Sequence, residues 1–126
     1  MSEVKFYRCR HCGNLVAVVE DAGPVPVCCG EPMELLVAGA KDAAVEKHVP
    51  AVTREGNVLR VRVGSVEHPM LPEHHIQWIA VACDRRLQLA HLAPGEAPEA
   101  AFHVPAGAPV TVYEYCNLHG LWKAEA

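Results

Sequence analysis

The sequence has few basic residues, few aromatic residues and no long hydrophobic run. Lysine and arginine number 11 against 15 aspartates and glutamates, the formal net charge is −4, and no basic arm or stripe is present. We therefore expect no nucleic-acid partner. No apolar stretch approaches the ~20 residues of a membrane span, and residues 1–6 lack the hydrophobic segment of a secretory signal. The expectation is a soluble cytoplasmic protein without a membrane partner.

Cysteine and histidine are unusually frequent. The chain has six cysteines and eight histidines in 126 residues. Disulfides are disfavoured in the cytoplasm, so the cysteines need another explanation. Together, the two residue types indicate metal binding.

The cysteines are unevenly distributed, which predicts two domains. Four of the six lie within the first 29 residues, and Gly39 follows a short apolar run. We place the boundary there, giving domains 1–37 and 38–126. The first is short and rich in glycine and proline, so it cannot bury enough surface to fold on its own core. A bound metal ion is the expected source of stability for so small a domain.

The second domain is expected to be an antiparallel β-sandwich. Apolar and polar residues alternate over 58–63, and 76–83 is mostly apolar, with residues 76, 78, 80 and 82 expected on one face. Short strands separated by frequent turns are typical of sandwiches. The remaining predicted strands are 87–92, 102–104 and 110–116. A single helical turn or a loop is expected over 42–48.

The first candidate site consists of four cysteines. Two thiolates three positions apart can bind one metal from a single turn, and a glycine after each pair lets backbone N–H groups approach the sulfurs. Four thiolates give a tetrahedral site that suits zinc or iron, and the pattern separates these two metals poorly. Buried or disulfide-bonded cysteines are the alternative. The residues are Cys9, Cys12, Cys28 and Cys29.

The second candidate site combines histidines with one cysteine. Cys116 and His119 have the spacing of two ligands on one turn after a strand, and His68 and His74 precede the 76–83 strand. His48 comes from the irregular segment. Because a sandwich gathers its loops at its ends, these residues can converge on one metal. A lone histidine is more often a surface residue, so only the group supports the metal hypothesis.

These motifs resemble desulfoferrodoxin, the two-iron form of superoxide reductase, over nearly the whole chain. Their order and spacing both match. The blocks are Cys9-x-x-Cys12 with Cys28-Cys29-Gly30-Glu31-Pro32-Met33, Glu46-Lys47-His48, His68-Pro69-Met70 through His74 and Trp78, and Glu114-Tyr115-Cys116-Asn117-Leu118-His119-Gly120.

The resemblance implies a mainly β protein with two iron sites. A desulforedoxin-like (rubredoxin-like) N-terminal domain would hold an Fe(Cys)4 site, and an immunoglobulin-like sandwich would hold an Fe(His)4(Cys) site. The implied activity is one-electron reduction of superoxide to hydrogen peroxide, without dismutation to oxygen. A homodimer and a rubredoxin-like electron donor are also implied. The implied ligands are Cys9, Cys12, Cys28 and Cys29 for the first iron, and His48, His68, His74, His119 and axial Cys116 for the second.

Two residues beside His48 have implied catalytic roles. Lys47 would attract the superoxide anion and supply a polarised water as proton donor. Glu46 would occupy the sixth position of oxidised iron in the resting state. Both residues could instead be ordinary solvated surface charges.

Some residues depart from the family pattern or lie outside it. His75 stands where the family commonly has an aromatic residue, and we keep His74 as the ligand because of its six-residue offset from His68. Cys83 lies in an apolar run and is expected in the core. Ordinary structural or surface roles are expected for His11, His91 and His103.

Two other functions compete with superoxide reduction. One is a zinc-ribbon-like interaction module, which metal analysis would reveal as zinc without visible absorption. The other is a cupredoxin-like electron carrier, which also places Cys and His near its last strand. The segment after His119 lacks the nearby methionine of such carriers, and four candidate histidines are too many for them.

Overall fold

A computed structural model describes residues 3–41 and 43–126, which are mainly β. The described residues divide into two compact units, one ending at Val37 and the other beginning at Ala38.

The N-terminal unit consists of short strands around a small core. Its three-stranded sheet has the order β2-β1-β5, and β3 pairs with β4 as a separate hairpin. Tyr7, Cys9 and Met33 are buried together. A core this small fits the prediction that the unit depends on bound metal. The strands are β1 Phe6–Arg8, β2 Leu15–Ala17, β3 Val27–Cys28, β4 Glu31–Pro32 and β5 Glu34–Leu35.

The C-terminal unit is a β-sandwich, as predicted. A three-stranded sheet of order β10-β7-β6 and a four-stranded sheet of order β12-β11-β8-β9 form its two layers, and all pairings are antiparallel. Seven strands in a three-plus-four arrangement are typical of immunoglobulin-like domains. The elements are α1 Val45–His48, β6 Pro50–Glu55, β7 Val58–Val63, β8 Ile76–Cys83, β9 Arg86–His91, β10 Glu99–His103, β11 Val110–Cys116 and β12 Gly120–Glu125.

The core of the sandwich follows from the period-two pattern of its strands. In β7 Leu59, Val61 and Val63 are buried and Val58 is half-buried, while Arg60 and Arg62 are exposed, which confirms the predicted alternation over most of the strand. Cys83 is 4% exposed and belongs to this core, also as predicted. The main buried residues are Leu59, Val61, Val63, Ile79, Val81, Phe102 and Val112.

The sequence-based strand predictions were incomplete. The strands β6 and β12 were missed because Pro50 and Gly120, which begin them, read as turn residues. The face predicted for 76–83 was wrong at Ile76, which packs in the core with Ile79 and Val81. A β-bulge explains the change: Tyr115 pairs with Trp78, but Cys116 pairs with Ile76, so Gln77 is the additional residue.

The helical turn predicted over 42–48 is confirmed as the single turn α1. Asp42 lies outside the described residues. Within residues 3–41 and 43–126, no helix has both the length and the apolar character needed to cross a bilayer.

Candidate metal centres

The sandwich brings five predicted ligands together at one of its ends. His48 ends α1 directly before β6, and His68 lies in the connection after β7. His74 precedes β8, Cys116 ends β11, and His119 lies in the turn before β12. The pairing of Pro50 with Val63 and of Ile76 with Cys116 places these strand ends side by side. The ligand atoms of all five residues lie within 4.8 Å of one another.

The four imidazoles form a closed ring. Going round from His48 through His68, His74 and His119, successive ring centroids are 4.6, 4.7, 5.0 and 4.8 Å apart. Neighbouring rings are nearly perpendicular, with interplanar angles of 79–89°. The Cys116 sulfur joins this ring at 3.5 Å from His68 Nε2 and 3.9 Å from His119 Nδ1. Four imidazoles and one thiol thus form a donor group that could hold one metal ion.

Backbone carbonyls fix which nitrogen of two rings faces the centre. His48 Nδ1 donates to the Ala44 carbonyl at 2.7 Å, and His68 Nδ1 donates to the Pro69 carbonyl at the same distance. A carbonyl only accepts, so each proton resides on Nδ1 and each Nε2 presents its lone pair. A metal-binding histidine usually ligates the metal through one ring nitrogen and donates a hydrogen bond from the other ring nitrogen.

The donor atoms fit a shared metal ion. His48 Nε2 and His68 Nε2 are 3.0 Å apart, although neither has a proton to donate in that tautomer. Two nitrogens bound at right angles to one metal, about 2.1 Å from it, are about 3.0 Å apart. His74 Nε2 is also buried without a hydrogen-bond partner among the described residues. A cation accepts all these lone pairs.

Burial keeps ligands of the histidine-rich centre neutral, and it is uneven across the four rings. His48 and His68 are buried, whereas His74 and His119 are only half-buried. Burial lowers the pKa of His48 and of His74, and it lowers the pKa of His68 to about 4. These rings are therefore deprotonated and available to a metal at neutral pH.

Burial acts in the opposite direction on Cys116, whose pKa it raises. The backbone N–H groups of His119 and Leu118 donate to the sulfur and partly offset this rise. The β-bulge before Cys116 ends the regular pairing at this residue, which is a common way to aim a side chain into a site. A bound cation would favour the thiolate further.

Lys47 and Glu46 precede His48 in the single turn α1. Burial is the main cause that lowers the pKa of His48 and of His74, and the positive charge of Lys47 makes a smaller contribution in the same direction. Glu46 has an exposed side chain, and its backbone carbonyl accepts from Val66 N at 2.9 Å. Both residues thus belong to the turn that ends at His48.

Two further residues support the centre and a third lies two positions from Cys116, although no role was predicted for them from the sequence. The Trp122 ring stacks on His48 at 5.1 Å and its Nε1 donates to the His119 carbonyl at 3.0 Å. Asn117 bonds to the segment around His74. Glu114 is fully buried, and burial raises its pKa well above the usual value. A charged residue within the mostly apolar segment of β11 was the sequence feature that could have predicted the unusual burial of Glu114.

The four cysteines of the first candidate site also come together. Their sulfur atoms lie within 4.8 Å of one another, with 3.7 Å between Cys12 and Cys28. The backbone N–H groups of Cys12 and His11 lower the pKa of Cys9 to about 6, which favours its thiolate. Cys29 adopts a left-handed φ of 52°, and this turns its side chain toward the same point as that of its neighbour.

The residues expected outside the sites remain outside them. His75 contributes its backbone to Asn117 and is absent from the ligand group, so His74 is the residue that the structure selects. His11 lies 2.7 Å from Glu31, and His91 and His103 are exposed. The six cysteines form no disulfide. Fold and sites thus define a β protein with two thiolate-containing metal centres.

Comparisons with known proteins agree with this description. The family model described as "Desulfoferrodoxin" matches residues 40–125, and that described as "Desulfoferrodoxin, N-terminal domain" matches residues 2–36. The desulfoferrodoxin of Nitratidesulfovibrio vulgaris is 49% identical over 125 residues, covering 99% of this chain and 98% of its own. The chain therefore belongs to the desulfoferrodoxin family, and its two ligand groups match the family's two iron sites.

Solved structures give the same result. The superoxide reductase of Treponema pallidum has a TM-score of 0.79 and 38% identity, with 98% of this chain and 99% of that chain covered. A one-iron superoxide reductase of Giardia intestinalis has a TM-score of 0.58 and 30% identity, and covers 64% of this chain and 97% of its own.

Proposed function

We propose that this protein is a superoxide reductase that converts superoxide, one electron and two protons into hydrogen peroxide, without dismutation to oxygen. The observation that carries this function is the closed ring of four imidazoles around the Cys116 thiol, with two of the rings half-buried. Such a site is typical of a catalytic metal, because a structural metal is enclosed by its ligands.

The proposed ligands divide between the two units. Cys9, Cys12, Cys28 and Cys29 hold the first iron, and His48, His68, His74, His119 and Cys116 hold the second. The second iron, when bound, supplies the redox chemistry toward superoxide. The residues of the chain keep the imidazoles neutral, fix their tautomers and hold the thiol against them.

Lys47 is proposed to attract the substrate and to orient a water that donates a proton. Its positive charge matters because the whole chain has a formal charge of −4 and superoxide is an anion. The position of Lys47 directly before His48 in α1, together with the contribution of its charge to the lowered pKa of His48 and of His74, supports this role. Glu46, the exposed neighbour, is proposed to protect the oxidised resting state with its carboxylate.

The surroundings of the protein are also proposals. A cytoplasmic location is proposed because both centres depend on cysteines that stay reduced, and the proposed role there is superoxide detoxification. A rubredoxin-like protein is the proposed electron donor. The four-cysteine centre is proposed to take part in electron transport, and the protein to act as a homodimer.

The proposed function is tested by metal content, visible spectrum and superoxide consumption of one preparation. Two irons per chain, thiolate-to-iron absorption and peroxide formation without oxygen evolution are expected. Cys116→Ser should lose the reaction and retain the absorption of the four-cysteine centre. Zinc as the only metal would overturn the proposal in favour of an interaction module, and oxygen evolution would indicate dismutation instead.

A further inference from the structure

Asn117 connects the two ligand-bearing segments of the histidine-rich centre. Its side-chain Nδ2 donates to the Glu73 carbonyl at 2.9 Å, and its Oδ1 accepts from the His75 backbone N–H at 2.9 Å. Its own backbone N–H donates to the His75 carbonyl at 3.2 Å. One asparagine in the turn between Cys116 and His119 therefore bonds to both residues that flank His74.

His74 depends on this connection more than His48 and His68 do. Those two rings are each oriented by a hydrogen bond from Nδ1 to a backbone carbonyl. In the described part of the chain, the His74 ring has no such bond, and its Nε2 is buried without a partner. The backbone of His74 pairs only with Leu71 in its own tight loop, at 2.9 and 3.1 Å. The orientation of this ring is therefore set through its backbone.

We propose that Asn117 is a positioning residue that holds His74 in register with Cys116 and His119. Its two side-chain bonds fix the peptide units on either side of His74, so the ring enters the centre from a constrained backbone. This role rests on the proposed function, since it assigns Asn117 to the metal centre of that reaction. Groups that orient metal ligands typically change metal affinity about 10- to 100-fold when removed.

Asn117→Ala tests the proposal, with Asn57→Ala as the matched control. Asn57 also connects distant segments, since its Oδ1 accepts from Ala106 N at 3.2 Å, but it lies in the β6–β7 turn away from the centre. The readouts are the rate of iron release to a chelator and the thiolate-to-iron absorption of the histidine-rich centre. The absorption of the four-cysteine centre in the same molecule is the internal reference.

Asn117→Ala is expected to release the second iron about tenfold faster than wild type. The thiolate-to-iron absorption of the histidine-rich centre in this variant should shift toward that of His74→Ala. The absorption of the four-cysteine centre should stay unchanged, and Asn57→Ala should match wild type in both readouts. Release within twofold of wild type together with an unshifted band would overturn the proposal. Equal acceleration in Asn57→Ala would also overturn it, because the effect would then be general loosening.

A second variant covers the case in which Asn117→Ala does not fold. Asn117→Asp keeps the acceptor for His75 N–H and loses the donor to Glu73, so its iron release should also exceed that of wild type. An unchanged rate there contradicts the positioning role. If wild type holds both irons but does not consume superoxide, the proposed function fails, while the release rates still decide the role of Asn117.

Discussion

Individual residues at the histidine-rich centre combine opposite electrostatic demands. The imidazoles must stay neutral to bind metal, and burial achieves this by disfavouring their charged forms. The substrate is an anion, which requires a nearby positive charge. The proposed source of that charge is Lys47, which precedes His48 in α1, so attraction of the substrate and binding of the metal would belong to different side chains.

Lys47→Ala is expected to slow the second-order reaction with superoxide by about tenfold and to flatten its dependence on ionic strength. Pulse radiolysis at several salt concentrations measures both effects. Lys5→Ala is the matched control: it removes the same charge from the N-terminal unit, where Lys5 pairs with Asp21 at 2.8 Å. Equal rates in Lys47→Ala and wild type would contradict the role of Lys47.

Glu114 is a residue whose burial lowers stability. It is fully buried in β11, and neither carboxyl oxygen has a hydrogen-bond partner among the described residues. Glu114→Met, which keeps a similar length, is therefore expected to raise the free energy of unfolding by about 1–3 kcal/mol at pH 7. Urea denaturation of the iron-loaded proteins measures this difference.

The gain from Glu114→Met should grow as the pH rises. The folded pKa of Glu114 lies above its unfolded value, so the folded wild type binds more protons than the unfolded chain and loses stability as pH increases through that range. The Glu114→Met variant has no carboxyl group at this position, so its stability does not fall with pH for this reason. A difference between the two proteins that is constant from pH 5 to 8 would show that the folded pKa of Glu114 is not raised above that of the unfolded chain.

At the scale of elements, α1 and the end of β7 are in very close contact. A Cβ added to Gly64 would lie 2.5 Å from the Glu46 carbonyl oxygen and 2.9 Å from the Lys47 carbonyl carbon. Side-chain atoms do not tolerate such distances, so the backbone of the segment that carries His48 would have to move. The absence of a side chain at Gly64 is therefore a requirement of the metal centre.

Gly64→Ala is expected to destabilise the sandwich by about 1–3 kcal/mol and to speed loss of the second iron. Thermal unfolding and chelator competition measure the two effects. Gly56→Ala is the control, since Gly56 has a positive φ of 59° with open space around it and lies at the opposite end of β7. It should lower stability and leave iron retention unchanged; faster iron loss in both variants would contradict the explanation.

Much of this element-scale description could be predicted from the sequence, because it depends on local patterns. The alternation in β7 and the apolar run of β8 predicted both strands. The bulge that moves Ile76 into the core could not be predicted, since it results from pairing with β11. The contact of Gly64 with α1 and the bonds of Asn117 join residues distant in sequence, and no local pattern encodes them.

The whole molecule consists of two units, each of which supplies all the ligands of one centre. Short-range spacing predicted the donors that share a turn, namely the cysteine pairs of the first site and Cys116 with His119, whereas the full ligand set of the histidine-rich centre was predicted from the family resemblance. The cysteine pattern alone left the metal open at the four-cysteine site, and membership of the desulfoferrodoxin family, whose two iron sites the ligand groups match, assigns iron to it.

Cys28→Ser should remove the first iron and leave the second centre intact. Because Cys28 contributes only to the four-cysteine group, we expect one iron per chain, unchanged absorption of the histidine-rich centre and a superoxide rate within about twofold of wild type. Iron analysis and pulse radiolysis measure these outcomes. Loss of both irons would show that the centres depend on each other.

Because every donor of the histidine-rich centre sits at one end of the sandwich, the far end can be altered independently. The loop over residues 104–109 and the turn at 84–85 lie at that far end, where β11 begins and β8 finishes. An engineer could attach the protein to an electrode through a cysteine introduced in this loop. Every immobilised molecule would then present its reactive face to the solution, as a superoxide sensor requires.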